Sequence, residues 1–338
     1  MKKRMIGNLE VSEIGMGCMG FSHGYGKVPE ETYSIEAIHK AYEFGCTFFD
    51  TAEVYGDVMF YPGHNEHLLG KAIESYRKEI VLATKLHLSP EELTDGTSIY
   101  EAVRKHLEKS MNNLRTDYMD LYYLHRINTA VPFEEVAEAM GRLIKEGLIR
   151  AWGLSQVGVD ALARAHEITP VTAVQNLYSM LERDCEKGIF PYCLEHHIGV
   201  VPFSPIASGF LSGKINADTQ FETADDVRKW VPQLKKENII ANQPILDVLA
   251  RYATKKNATN AQISLAWMLH KYPNVVPIPG SKNQGRILEN LGATNVKLTD
   301  DEFEALETAL DAYAVHGHRG HIETEQTSFG LNWKKTKD

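Results

Sequence analysis

The chain has 338 residues, 43% of them hydrophobic and 24% charged, which is the composition of an ordinary globular protein long enough for one large or two medium domains. Its 36 basic and 45 acidic residues leave a formal charge of −9 with no basic stripe, which argues against a nucleic-acid partner. The longest apolar runs, such as IGVVPF and NVVPIP, are strand-sized, so no membrane partner or span is expected, and MKKRMIG runs into polar NLEVSE where a signal peptide needs an apolar stretch.

The opening MKKRMIGNLEVSE reads as a hairpin with Gly7 and Asn8 as its turn. After it, short apolar runs alternate with amphipathic stretches, the pattern of an α/β protein with a parallel sheet. The strand candidates in order are SEIGM, TFFD, IVLAT, MDLYYLH, IRAWGLS, TAVQ, IGVVPFS and NVVPIP. Helices are expected to begin near Pro29, His67, Ser98, Pro132, Val159, Asp184 and Asn283, with another around Asn242–Lys255. Eight βα units on a chain of this length predict a (β/α)8 TIM barrel with an N-terminal β-hairpin and long strand-end loops, forming a single domain over 1–338. The long loops are Gly56–Asn65, Arg126–Val131 and Ile206–Ala241, with a tail after Leu310.

Active sites of such barrels lie at the C-terminal ends of the strands. Asp50, Lys85, His125, Ser155, Gln175 and Ser204 all fall at that end, and Tyr55 follows Asp50 in the next loop. An acid, a phenol, an amine and an imidazole delivered by neighbouring strands make a proton-donating pocket. An ammonium about 4 Å from a phenol, at an effective dielectric of about 20, favours the phenolate by about 4 kcal/mol, or roughly three pKa units. Lys85 is therefore expected to bring Tyr55 toward working pH as a general acid. Asp50 would keep Lys85 charged and oriented, and His125 would sit beside the incoming oxygen. An amine ending the apolar run IVLAT is costly to bury unless it is paired.

Three patterns invite other readings. Gly15, Gly17 and Gly20 spell G-x-G-x-x-G after a strand, but loop-like FSHGYGKVP follows where a dinucleotide-binding turn must open into a helix. The glycines more simply let the loop Gly17-Cys18-Met19 approach a ligand closely. His316, His318 and His321 lie in a Gly-containing tail without an acidic or cysteine partner, so no metal site is read there and a surface tail is expected. Cys18, Cys46, Cys185 and Cys193 form no close metal-type pair and read as reduced thiols, hence a cytoplasmic protein.

FFDTAEVYG, NEHLLGKAI, VLATK, YMDLYYLHR, WGLSQ, VQNLYS, VVPFSPIASGFLSGK and VPIPGSKNQGRILENLGA resemble, in order, the strand-end motifs of the aldo-keto reductase family. The opening LEVSEIGMGCMG is similar to that family's start, so the resemblance covers nearly the whole chain. It implies reduction of a small carbonyl substrate by NADPH, with Asp50, Tyr55, Lys85 and His125 as the catalytic four. It further implies that Ser155, Gln156 and Gln175 hold the nicotinamide carboxamide, although the family usually has Asn at the Gln156 position. Phe203 stands where the family commonly stacks a tyrosine on the nicotinamide; Phe keeps the face and loses the hydroxyl. Ser204, Pro205, Ile206, Ser208 and Leu211 match the loop along the pyrophosphate. Ile278, Gly280, Ser281 and Lys282, with Gln284, Arg286, Glu289 and Asn290 on the following helix, match the adenosine end. Lys282 and Arg286 there favour the 2′-phosphate of NADP(H) over NAD(H), at a place where barrels often bind phosphate. Gly17, Cys18, Met19 and Asp50 complete the expected cofactor contacts.

Two other functions are weighed against this. A metal-dependent hydrolase would need Asp50, His64, His67 and His125 to converge on one ion. A regulatory module, like the family's channel β-subunit branch, would bind NADPH and a membrane partner without turnover. The physiological substrate and the oligomeric state are left open. Between Gly56 and Asn65 the chain carries DVMFYPGH where the family has a shorter link, and Met59, Phe60 and Tyr61 are expected to form an apolar wall of the substrate pocket. The Arg126–Val131 loop and the tail containing Phe329 and Trp333 are expected to contribute to specificity as well.

Overall fold

The computed structural model describes residues 1–221 and 225–320. Strands β1 (Lys3–Ile6) and β2 (Leu9–Ser12) pair antiparallel with Ile6 opposite Leu9, so Gly7 and Asn8 make the turn, as expected. Gly7 has φ +58°, and a Cβ there would lie 2.7 Å from the Thr172 side chain; only glycine lets the hairpin seat so closely on the barrel.

A parallel sheet then runs in chain order through β3 (Met16–Gly17), β4 (Phe48–Asp50), β5 (Val81–Leu86), β6 (Met119–Leu124), β7 (Ile149–Ser155), β8 (Ala173–Gln175) and β9 (Gly199–Val200). The eighth expected strand, NVVPIP, closes the ring through two bridges, Val200 to Val275 and Gly17 to Gly280. Its ladder is broken because Pro277 and Pro279 have no N–H to give. The Ile278 N–H still donates to the Pro202 carbonyl (3.1 Å), and the Gly15 N–H donates to the Pro277 carbonyl (2.9 Å). The result is a (β/α)8 barrel.

Strand residues alternate between two apolar layers because successive side chains point to opposite faces. Val81, Ala83, Leu121, Tyr123, Ala151 and Ala173 fill the barrel interior together with Ile6, Leu9 and Val11 of the hairpin, which plug its floor. Leu82, Tyr122, Leu124, Trp152 and Val174 face the other way, into the larger core under the helices.

The helices are α1 (Glu31–Glu43), α2 (His64–Ile73), α3 (Ile99–Asn113), α4 (Phe133–Lys145), α5 (Val159–Ile168), α6 (Ile189–Glu195), α7 (Lys236–Ala241), α8 (Gln243–Lys256), α9 (Asn260–Lys271), α10 (Gln284–Leu291) and α11 (Asp300–Asp311). Helix α2 starts at His64, three residues before the expected point, because Gly63 at φ +84° turns the chain directly into it. Helices α7, α9 and α11 were not foreseen. Both α9 and α11 open on capping boxes, Thr259 with Gln262 and Thr299 with Glu302. The tail is also more ordered than a free surface segment up to residue 320. Asn242 exchanges two 2.9 Å hydrogen bonds with the His316 backbone, and the Gln233 N–H donates to the His318 carbonyl. His321, Phe329 and Trp333 lie outside the described residues.

Candidate active site

The floor of the site is built by strand ends. Asp50 ends β4, Lys85 is the fifth residue of β5, His125 follows β6 directly, and Ser155 and Gln175 close β7 and β8 as register partners. Lys85 is fully buried, and its Nζ donates to Asp50 Oδ1 (2.5 Å), the Thr51 carbonyl (2.7 Å) and Tyr55 Oη (3.4 Å). Gln175 Nε2 donates to the other Asp50 oxygen at 2.7 Å. Tyr55 stands between two imidazoles, with its ring 5.4 Å from that of His23 and 5.8 Å from that of His125, both edge-on. The loop carrying Tyr55 is pinned by buried Asn65, which accepts from Thr51 Oγ1 (2.6 Å) and donates to the Cys18 carbonyl (3.0 Å) and to Ser22 Oγ (2.7 Å). The four side chains expected to act together are thus brought together.

Their electrostatics correct one expectation. Burial pushes the Tyr55 phenol above its ordinary pKa, and the opposing effects of Lys85 and Arg126 do not reverse this. Desolvation of the phenolate is a larger effect than the nearby ammonium. Burial works against the Lys85 ammonium, but the Asp50 carboxylate outweighs it and holds Lys85 charged. Burial, with the nearby charges of Arg126 and Lys85, keeps His125 well below the ordinary histidine value, so its imidazole is neutral.

Above this floor opens a cavity of about 430 Å3 lined by Asp50, Tyr55, His125 and most of the expected ligand contacts. Gly17, Met19, Ser155, Gln156, Gln175, Phe203, Ser204, Pro205, Ile206, Ser208, Ile278, Gly280, Ser281, Lys282, Arg286, Glu289 and Asn290 all line it. Cys18, Leu211 and Gln284 do not. Cys18 and Leu211 face the apolar core, and the Gln284 amide engages Lys40 and Tyr33. Lys85 lies behind Asp50 and Tyr55 and reaches the cavity only through them. Gln156 turns its Oε1 onto the Leu177 N–H (3.0 Å).

The roof of the cavity is strained. Ser204, Ala207 and Ser208 have φ of 51°, 46° and 55°, and Gly209 has 97°. Where a residue of negative φ such as Ile206 leads into left-handed ones, successive backbone N–H groups can aim at one point, a common anion-binding device, and strain of this kind collects at ligand clamps. Ser208 Oγ is buried with no hydrogen-bond partner among the described residues. Lys282 spends its ammonium on the carbonyls of Tyr25 (2.7 Å) and Lys27 (2.5 Å), and burial and Arg228 lower its basicity. The long loop after β9 crosses the groove to meet the first strand-end loop. Tyr25 bridges Asp226, the Val227 N–H donates to the Gly24 carbonyl, and Arg228 pairs with Asp226 at 2.6 Å.

Sequence reasoning missed Tyr25, Leu177, Lys214, Arg228 and Arg319, which also line the cavity, and it placed Arg126 only as the start of a specificity loop. Arg126 directly follows His125 in MDLYYLHR, and Leu177 and Lys214 stand in the motifs VQNLYS and VVPFSPIASGFLSGK; Tyr25, Arg228 and Arg319 arrive from elsewhere in the chain. The insert after Gly56 does not wall the cavity. Phe60 stacks on His64 at 4.0 Å, Tyr61 packs edge-on to His64 and His67, and Val58 is 91% exposed. His64 Nδ1 pairs with Ser22 Oγ and His67 Nδ1 with the Gly63 carbonyl, so neither joins Asp50 and His125 in a metal-like set.

The sequence profile of the aldo/keto reductase family matches residues 13–311. A soybean (Glycine max) protein described as probable aldo-keto reductase 1 is 38% identical over 315 residues, covering 92% of this chain and 88% of its own length. Among solved structures, a glycerol dehydrogenase from Gluconobacter oxydans superposes with a TM-score of 0.81 at 27% identity, covering 95% of this chain and 98% of its own. An aldo/keto reductase from Klebsiella pneumoniae in complex with NADP and acetate gives a TM-score of 0.71 at 26% identity, over 95% of this chain and all of the other (100%). With its barrel, hairpin plug and strand-end site, the chain belongs to the aldo/keto reductase family.

Proposed function

We propose that this protein reduces aldehydes or ketones to alcohols with NADPH, Tyr55 donating the proton. The observation that carries this reading is Lys85, buried at the cavity floor and bonded to both Asp50 and Tyr55. The groove suits a dinucleotide phosphate. The orphaned Ser208 Oγ, the left-handed residues Ser204 and Ala207–Gly209 and the cations Lys282 and Arg286 offer donors and charge where an anion would lie. The Klebsiella relative's complex with NADP supports the same assignment. Ser155, Gln156 and Gln175 would hold the nicotinamide carboxamide and Phe203 would stack on the ring; Met19, Gly17, Ile278 and the loop 204–208 would flank it. Ser281, Arg286, Glu289 and Asn290 would hold the adenosine end. When bound, the cofactor supplies the hydride for the carbonyl carbon.

The chain's own residues handle the proton. Neutral His125 offers an N–H to the carbonyl oxygen. Tyr55 stays protonated at rest, the state an acid needs, and gives its proton to the nascent alkoxide, which is a much stronger base than a phenolate. Lys85 stabilises the phenolate left behind, with Asp50 as its fixed counter-charge. The four buried thiols are in keeping with a cytoplasmic location. The test is NADPH oxidation over a panel of aldehydes, ketones and quinones. Turnover of at least one simple aldehyde is expected; tight NADPH binding with no turnover of any carbonyl would overturn the reading in favour of a regulatory module.

A further inference from the structure

Several cations in and beneath the cavity have a carboxylate partner. Lys85 has Asp50, Arg228 has Asp226, and Lys214 has Glu289 at 3.4 Å. Arg126 differs. Both of its bonds leave Nη1, one to its neighbour's carbonyl at His125 (2.5 Å) and one to Ser155 Oγ (2.9 Å). Among the described residues no carboxylate lies within 4.0 Å of its guanidinium. A guanidinium carries five N–H groups, so Nε–H and the two on Nη2 are left over. These form one edge of the planar fork, the edge that grips a carboxylate with two parallel bonds.

Its position separates it from the cations expected to serve the cofactor's phosphates. Lys282 and Arg286 follow the eighth strand, near Tyr25, whereas Arg126 follows His125, bonds the end of β7 and has its Cζ 6.0 Å from the centre of the Phe203 ring. It lines the same cavity as Tyr55 and His125. A largely buried cation without a counter-charge is unfavourable, and that cost is relieved when an occupant brings the missing negative charge. We propose that Arg126 anchors a negatively charged group on the substrate, so that the enzyme selects carbonyl compounds carrying a carboxylate. The inference rests on the carbonyl-reductase reading and adds the substrate class. The carbonyl oxygen takes Tyr55 and His125 while the carboxylate takes Arg126, which fixes the substrate at two points and orients the carbonyl carbon.

The test compares 2-, 3- and 4-carboxybenzaldehyde with their methyl esters, which retain the aldehyde and lose the charge. In the native enzyme kcat/KM for at least one acid should exceed that of its ester by about tenfold or more, and the favoured isomer reports the spacing. Arg126→Met should lower that acid's kcat/KM by roughly 30- to 100-fold, as the loss of charge-assisted bonds implies, and the matching ester's by under about fivefold. Arg126→Lys should restore part of the preference. NADPH affinity, followed by fluorescence quenching, shows whether each variant is folded and loaded. Acid-to-ester ratios near one for all three isomers in the native enzyme would overturn the proposal without any variant. So would an equal loss for acids and esters in Arg126→Met, which would make Arg126 a support for Ser155. Turnover of neither acids nor esters would instead sink the underlying reading and this inference with it.

Discussion

The floor and the roof of the cavity are built on opposite principles. At the floor, Lys85 and both Asp50 oxygens are partnered within the chain and sit on strand ends. At the roof, Ser208 Oγ is buried without a partner, four residues between Ser204 and Gly209 are left-handed, and cations converge from three separate loops. The difference teaches that the proposed proton-handling group is internally paired before anything binds, whereas the groove keeps a buried donor unsatisfied. Pre-pairing keeps the acid fixed in position; unpaired donors make the groove bind.

The largest expected effect comes from breaking the floor. Lys85→Met leaves Asp50 buried with only Gln175 as partner, which should cost about 3–5 kcal/mol of stability and nearly all turnover. Chemical denaturation measures the first, and a loss under 1 kcal/mol would show that the floor is not pre-paired as described. At the roof, Arg286→Ala should weaken NADPH by about 1.5–3 kcal/mol and leave NADH nearly unchanged. Lys282→Ala should weaken both cofactors, because its ammonium ties Tyr25 and Lys27 to the eighth strand end. Binding titrations with the two cofactors separate these roles; identical patterns in the two variants would contradict the split.

Ser208→Ala sharpens the contrast further. Removing an orphaned hydroxyl should leave the ligand-free protein as stable as before or slightly more so, while NADPH affinity falls by about 0.5–1.5 kcal/mol. Loss of stability without loss of affinity would mean that the hydroxyl serves the fold. The smallest effect lies beside the floor. His106 sits between Glu53 (2.7 Å) and Glu92 (2.8 Å), and although burial opposes its charge, the two carboxylates raise its pKa above the ordinary value. Its stabilising contribution is therefore fully present below the unfolded-state pKa and is lost as pH rises through the folded value. His106→Gln should flatten the fall in melting temperature across that window, and an unchanged slope would remove His106 from the account.

The floor was legible in the sequence and the roof only partly so, for a physical reason. Asp50, Lys85, His125, Ser155 and Gln175 each lie at or beside a strand end, and a strand end fixes a side chain's place from local pattern alone. Tyr25 meets Asp226 and Arg228 because two loops about two hundred residues apart cross, and nothing local encodes that. Arg126 was readable by adjacency to His125, yet its unpaired state needed the surrounding carboxylates to be located. Helix α9 escaped notice because Ala261 and the run Ile263–Met268 are buried all round, which blurs the helical period, although Thr259 and Gln262 spelled its capping box. The apolar insert misled because three large side chains in a row suggested a pocket wall, whereas Phe60 and Tyr61 cover His64 and His67. The tuning of Tyr55 was misjudged in sign, since the sequence shows an ammonium nearby but not the burial that outweighs it.

The central claim, that Tyr55 is the acid and Asp50, Lys85 and His125 serve it, is tested most directly by single-turnover oxidation of prebound NADPH in Tyr55→Phe. The account predicts NADPH affinity within about threefold of native and a hydride-transfer rate lower by roughly two to four decades, the range of a positioned general acid. A near-native rate with NADPH bound would contradict it.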